Sequence, residues 1–124
     1  MNRLNELKMN SLKNNVRLMG IVGNDPTIYS FDNNKSMVKI SLATIEKFKG
    51  PNGNWIKDTQ WHTLVLWGKH ALFAYDHLHK GLEIAIEGRL KNRRYQDRHG
   101  IIRNVTEVVV SKFLSLSKPN NTTE

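Results

Sequence analysis

Apolar and polar positions alternate with period two through most of the chain, the pattern of strands with one buried face. In a first strand over positions 16–23, Val16, Leu18, Gly20 and Val22 share a face, and the turn signal Gly23-Asn24-Asp25-Pro26 ends the run. A short strand over 27–31 and a turn at Asp32-Asn33-Asn34-Lys35 follow. Over 36–48, Val38, Ile40, Leu42 and Thr44 lie on one side, with Lys39, Ser41, Ala43, Ile45 and Lys47 on the other. Lys49-Gly50-Pro51-Asn52-Gly53-Asn54 predicts a hairpin flanked by Phe48 and Trp55, because Asn-Gly suits the left-handed backbone of a tight turn. The return strand, 59–68, carries His62, Leu64 and Leu66 on one face and Trp61, Thr63, Val65 and Trp67 on the other. Its two tryptophans therefore point the same way, roughly 20 Å apart at about 3.3 Å per residue.

Helical spacing occurs once with conviction, over 69–78. There Leu72, Tyr75 and Leu78 recur on one face, Ala71 and Ala74 favour helix, His79-Lys80 suits the negative end, and Gly81 closes it. Period two resumes over 82–95, with Leu82, Ile84, Ile86, Gly88 and Leu90 against Arg89, Lys91, Arg93 and Tyr95. A polar loop over 96–100 leads to a last strand over 101–113. Positions 1–15 mix polar residues with Leu4, Leu7 and Leu12 at loosely helical intervals; an irregular arm, flexible over 1–13, is expected, with a short interface helix as the alternative. Positions 117–124 read as a short disordered tail. Strands, one helix and strands again, with no βαβ alternation, predict an all-β domain over 14–116, built as a small antiparallel barrel.

Composition narrows the function. A length of 124 residues with 39% hydrophobic positions and a mean hydropathy of −0.52 fits one soluble domain. The net charge of +8 suits a polyanionic partner such as nucleic acid. Cysteine is absent, which excludes disulfides, zinc–thiolate sites and a thiol nucleophile. No apolar run approaches a membrane span, and no apolar segment of a secretory signal opens the chain, so a cytoplasmic location and no membrane partner are expected. The histidines (His62, His70, His77, His79, His99) lack metal-ligand spacing and a completing acid. No enzyme activity, metal or cofactor is expected.

The charge is concentrated. Positions 89–103 hold Arg89, Lys91, Arg93, Arg94, Arg98 and Arg103 against Asp97 alone. Alternation sets Arg89, Lys91 and Arg93 in a cationic row ending on the ring of Tyr95. Cations neutralise phosphates, and a ring accepts any base face by stacking. On the central strand, Leu64 and Leu66 already supply an apolar side, which frees the Trp61–Trp67 side for bases. Single-stranded nucleic acid fits better than duplex, whose paired bases hide their faces and which is usually read by a recognition helix or zinc finger.

The blocks Val16-Arg17-Leu18-Met19-Gly20, Gly23-Asn24-Asp25-Pro26, Ile40-Ser41-Leu42-Ala43-Thr44, Thr59-Gln60-Trp61-His62, Trp67-Gly68-Lys69, Leu78-His79-Lys80-Gly81, Ile86-Glu87-Gly88-Arg89-Leu90 and Thr106-Glu107-Val108-Val109-Val110 occur in this order. In these blocks, over positions 15–116, the sequence resembles bacterial single-stranded-DNA-binding proteins of the OB fold. The resemblance implies a five-stranded OB barrel with one short helix between its third and fourth strands. It also implies sequence-independent coating of single-stranded DNA in replication, recombination or repair, near the nucleoid. A homotetramer is implied, with a homodimer as the alternative. Family stacking aromatics fall on Trp61, Trp67, Phe48 and Tyr95, and Trp55 is open between contact and packing. Phosphate contacts are expected from Arg89, Lys91, Arg93, Arg94, Lys39, Lys47, Lys69 and Arg103, and His62 is placed near subunit contacts. The chain departs from the family at Lys118-Pro119-Asn120-Asn121-Thr122-Thr123-Glu124, where an acidic tip is usual; recruitment of repair or replication proteins through such a tip is in doubt. The competing readings are an RNA-binding, cold-shock-like OB module and an OB domain serving protein assembly.

Overall fold

A computed structural model describes residues 2–116; the tail expected over 117–124 lies outside the described residues. Among the described residues the elements are α1 (Arg3–Lys13), β1 (Val16–Val22), β2 (Thr27–Ser30), β3 (Ser36–Lys49), β4 (Trp55–Trp67), α2 (Gly68–His77), β5 (Glu83–Gln96) and β6 (Ile102–Ser115). None of these helices is long and apolar enough to cross a membrane.

The strands run in the order β1-β5-β6-β4-β3-β2, and a further pairing of β1 with β3 closes the first five into a barrel. Every pairing is antiparallel except that of β4 with β6. Closure brings Ile21 opposite Ala43, and at the neighbouring Gly20 a Cβ would collide with the Ala43 carbonyl. Only a residue without a side chain lets β1 cross β3 so closely. The predicted period-two faces supply most of the interior: Val22, Val38, Ile40, Leu42, Leu64, Leu66, Ile84 and Ile86 are buried together with Val108 and Val110 of β6. Helix α2 joins β4 to β5, the third and fourth barrel strands, and plugs the barrel with Ala71 and Ala74, while Leu78 packs just beyond its last turn.

The phase of the alternation changes in the β5–β6 ladder. The β5–β6 register shifts between Glu87 and Gly88, where Ser111 is passed over and its hydroxyl donates to the Glu87 carbonyl at 3.1 Å. The shift brings Phe113 opposite Ile86 and into the core rim, where unbroken alternation from Val108 and Val110 would have turned it out.

The irregular arm expected at the amino end is instead helix α1. Asn2 caps it, its side chain accepting from the Asn5 amide at 2.9 Å, with Glu6 in the first turn and Lys13 in the last, where each charge suits the helix dipole. The cap was legible, but the weak apolar periodicity concealed it. Asn14 then ties the helix exit to the barrel: its side-chain amide donates to the Leu90 carbonyl at 3.0 Å and its oxygen accepts from the Leu90 amide at 2.8 Å.

Candidate nucleic-acid interface

Two ladders outrun the barrel. The β3–β4 hairpin continues with Ile45 opposite Thr59 up to Lys49 opposite Trp55, forming a finger whose residues 45–49 and 55–57 are exposed. The β5–β6 ladder continues from Arg89 to Gln96 as a second arm. Both are long because their β-branched, aromatic and long basic residues pair across the strands although little of their surface is buried.

Register fixes what each face carries. Met37, Lys39, Ser41, Ala43, Ile45, Lys47 and Lys49 pair with Trp67, Val65, Thr63, Trp61, Thr59, Lys57 and Trp55, so these side chains share one side of β3–β4. The three tryptophans thus line one side. Trp61 is 63% exposed and its ring lies over Gly23, where a Cβ would strike it. Trp55 is 68% exposed and takes the Lys49 ammonium over its ring at 5.7 Å. Phe48 is turned to the other side of the finger, opposite Ile56 and next in phase to Glu46 and Asp58. The structure therefore does not bring Phe48 together with the tryptophans.

At the barrel end of this face, a groove of about 280 Å³ is lined by Phe31, Met37 and Trp67, by Lys91, Arg93 and Glu107, and by the paired Val65 and Val109. Phe31 stacks on Trp67 with ring centroids 5.9 Å apart and planes 29° from parallel. Tyr29 lies opposite Met37, in the same row as Trp67. Neither Phe31 nor Tyr29 was anticipated; their spacing of two on a short strand was the available signal.

The cations divide into free and committed. Arg93 donates from Nε and Nη2 to the two Glu107 carboxylate oxygens, each at 3.0 Å, and Lys39 Nζ lies 3.7 Å from the same carboxylate. Hydrogen bonding from Arg93 holds the Glu107 carboxyl below the usual carboxylate range in spite of its burial, and Lys39 adds to this. Arg103 pairs with Asp97 at 3.0 Å, and this hydrogen bond, with those from the Ile101 and His99 amides, lowers the Asp97 carboxyl. Arg94 is turned with Asn92 and Leu90 to the side of the arm away from the groove, and Lys69 lies by a separate depression with His70, Phe73 and Lys112. Among the described residues Arg89, Lys91, Lys47 and Lys57 have no acidic partner. Tyr95 is half-exposed at the end of the arm, with the Arg93 guanidinium 5.7 Å from its ring. His62 is half-buried on the side opposite the tryptophans and shares a hydrogen bond of 2.8 Å with Thr44 Oγ1.

An exposed aromatic face continuous with a cation-edged groove can stack flat rings and neutralise a flexible polyanion, and it offers no helix to enter a duplex groove. The structure of a Plasmodium falciparum SSB complex with ssDNA superposes with a TM-score of 0.75 at 24% identity, covering 84% of this chain and 95% of that one, which establishes the OB fold. "Single-stranded DNA-binding protein 1" of Chlorobaculum tepidum is 41% identical over 104 residues, 83% of this chain, and the match spans 64% of that relative's length. The family model described as "Single-strand binding protein family" matches residues 13–116, the whole barrel and both arms, and the chain belongs to that family.

Proposed function

We propose that the chain coats single-stranded DNA without reading its sequence, in replication, recombination or repair, and that it performs no catalysis. The observation that carries this reading is the shared exposed side of Trp55, Trp61 and Trp67, which opens into the groove where Phe31 stacks on Trp67 beside Lys91. Bases stack along that side, and phosphates follow Arg89, Lys91, Lys47 and Lys57. Tyr95 extends the platform along the arm. Stacking contributes about 1–3 kcal/mol per base and tolerates any base, so several rings give affinity without sequence preference. Trp61→Ala and Trp67→Ala are each expected to weaken oligo-dT binding by about 1–3 kcal/mol in a folded protein, measured by titration. Unchanged affinity in the folded double variant would remove the platform.

The working form is proposed to be a homotetramer. A depression of about 430 Å³ on β1, β5 and β6, lined by Leu18, Met19, Ile86, Phe113 and Leu114, suits the same surface of a second copy. Met19 and Leu114 are exposed there, and His62 is proposed to lie near a subunit contact. A cytoplasmic, nucleoid-associated location accompanies this role.

A further inference from the structure

Glu107 is the buried charged residue among the described residues, 4% exposed, yet it lines the groove proposed to hold the strand. It comes from β6, Arg93 from β5 and Lys39 from β3, so three strands place three charges at one spot. Both carboxylate oxygens are bonded to Arg93, and Lys39 approaches one of them. The Arg93 guanidinium is held from a further side by the Tyr95 ring. A phosphate approaching Arg93 or Lys39 would meet the Glu107 carboxylate at close range, and the Arg93 Nε and Nη2 are already engaged by it. The neighbouring floor, Val65 and Val109 with Trp67 and Phe31, is apolar and aromatic.

We infer that Glu107 withdraws Arg93 and Lys39 from phosphate binding, so that the groove floor receives bases and the sugar–phosphate chain is kept to the cations without an acidic partner, Arg89, Lys91, Lys47 and Lys57. This rests on the single-strand reading and adds to it a path for the strand. A buried anion in a basic groove lowers non-selective affinity for polyanions; what it gains is a polarity, bases inward and phosphates outward.

The test is the salt dependence of oligo-dT affinity. Each phosphate contact on a single strand contributes roughly −0.7 to the log–log slope. Glu107→Gln keeps the shape of the side chain and frees two cations, so the slope is expected to steepen by about 0.7–1.4, with tighter binding at low salt. Adding Arg93→Gln to Glu107→Gln is expected to remove about 0.7 of that increment. In the wild-type protein, the Arg93 Nε–H is expected to keep its hydrogen bond to Glu107 when oligo-dT saturates the site, read as exchange with water no faster than in the free protein, which tests the inference without any variant. An unchanged or shallower slope in folded Glu107→Gln, or faster exchange of the Arg93 Nε–H in the wild-type complex, overturns the inference. Failure of the wild-type protein to bind oligo-dT at all would instead overturn the single-strand reading itself.

Discussion

Buried and bonded on both oxygens, Glu107 links the groove to the stability of the fold. Its carboxyl is depressed mainly by the Arg93 hydrogen bonds, so it is ionised in the folded protein at pH values where the unfolded chain is already taking up a proton. The stabilisation is complete above the unfolded value of about 4.3 and is lost as pH falls through the lower folded value. Urea midpoints measured from pH 6 to pH 3 should therefore fall less steeply for Glu107→Gln than for wild type; parallel curves would show that the pair does not couple to folding. At the same scale, the cation row was legible from alternation, but its commitments were not. That Arg93 and Lys39 belong to Glu107 depends on which residues β5, β6 and β3 bring together, and sequence spacing carries no such register. Phe31 escaped notice for a related reason, since it reaches Trp67 from across β3.

The finger is an element with two unlike sides. Lys47, Lys49, Trp55, Lys57 and Trp61 occupy one, and Glu46, Phe48, Ile56 and Asp58 the other. A polyanion is favoured on the first side and opposed on the second, so Phe48→Ala should cost less oligo-dT affinity than Trp61→Ala in the same titration. Equal losses would show that the strand passes around the edge of the finger. Strand boundaries and faces were largely readable because each inward position is apolar; Val38, Ile40 and Leu42 leave β3 no other phase. Closure was not readable in the same way. Gly20 occupies an ordinary inward position in the pattern, and only the crossing of β1 over β3 explains why it has no side chain. Gly20→Ala should destabilise the barrel by about 1–3 kcal/mol in a urea titration, the usual cost of forcing a methyl into filled space. No loss would mean that the strands can separate at little cost. Helix α1 was missed because its evidence is a cap and two charges rather than an apolar stripe.

For the whole molecule, the net charge of +8 already counts Glu107 and Asp97 against Arg93, Lys39 and Arg103, so these pairings leave the total unchanged and place most of the excess on cations outside them. Assembly should depend on the apolar depression: Met19→Asp with Leu114→Asp should lower the mass seen by light scattering, and an unchanged mass would place the subunit contact elsewhere. The central claim is that the tryptophan side holds unpaired DNA bases. Tryptophan fluorescence during titration with oligo-dT, with oligo-U and duplex DNA as competitors, tests it most directly. Strong quenching by oligo-dT, much reduced in Trp61→Ala/Trp67→Ala, which keeps only Trp55, and resisted by both competitors, is the expected result. Binding without quenching, or equal competition by duplex, would contradict it.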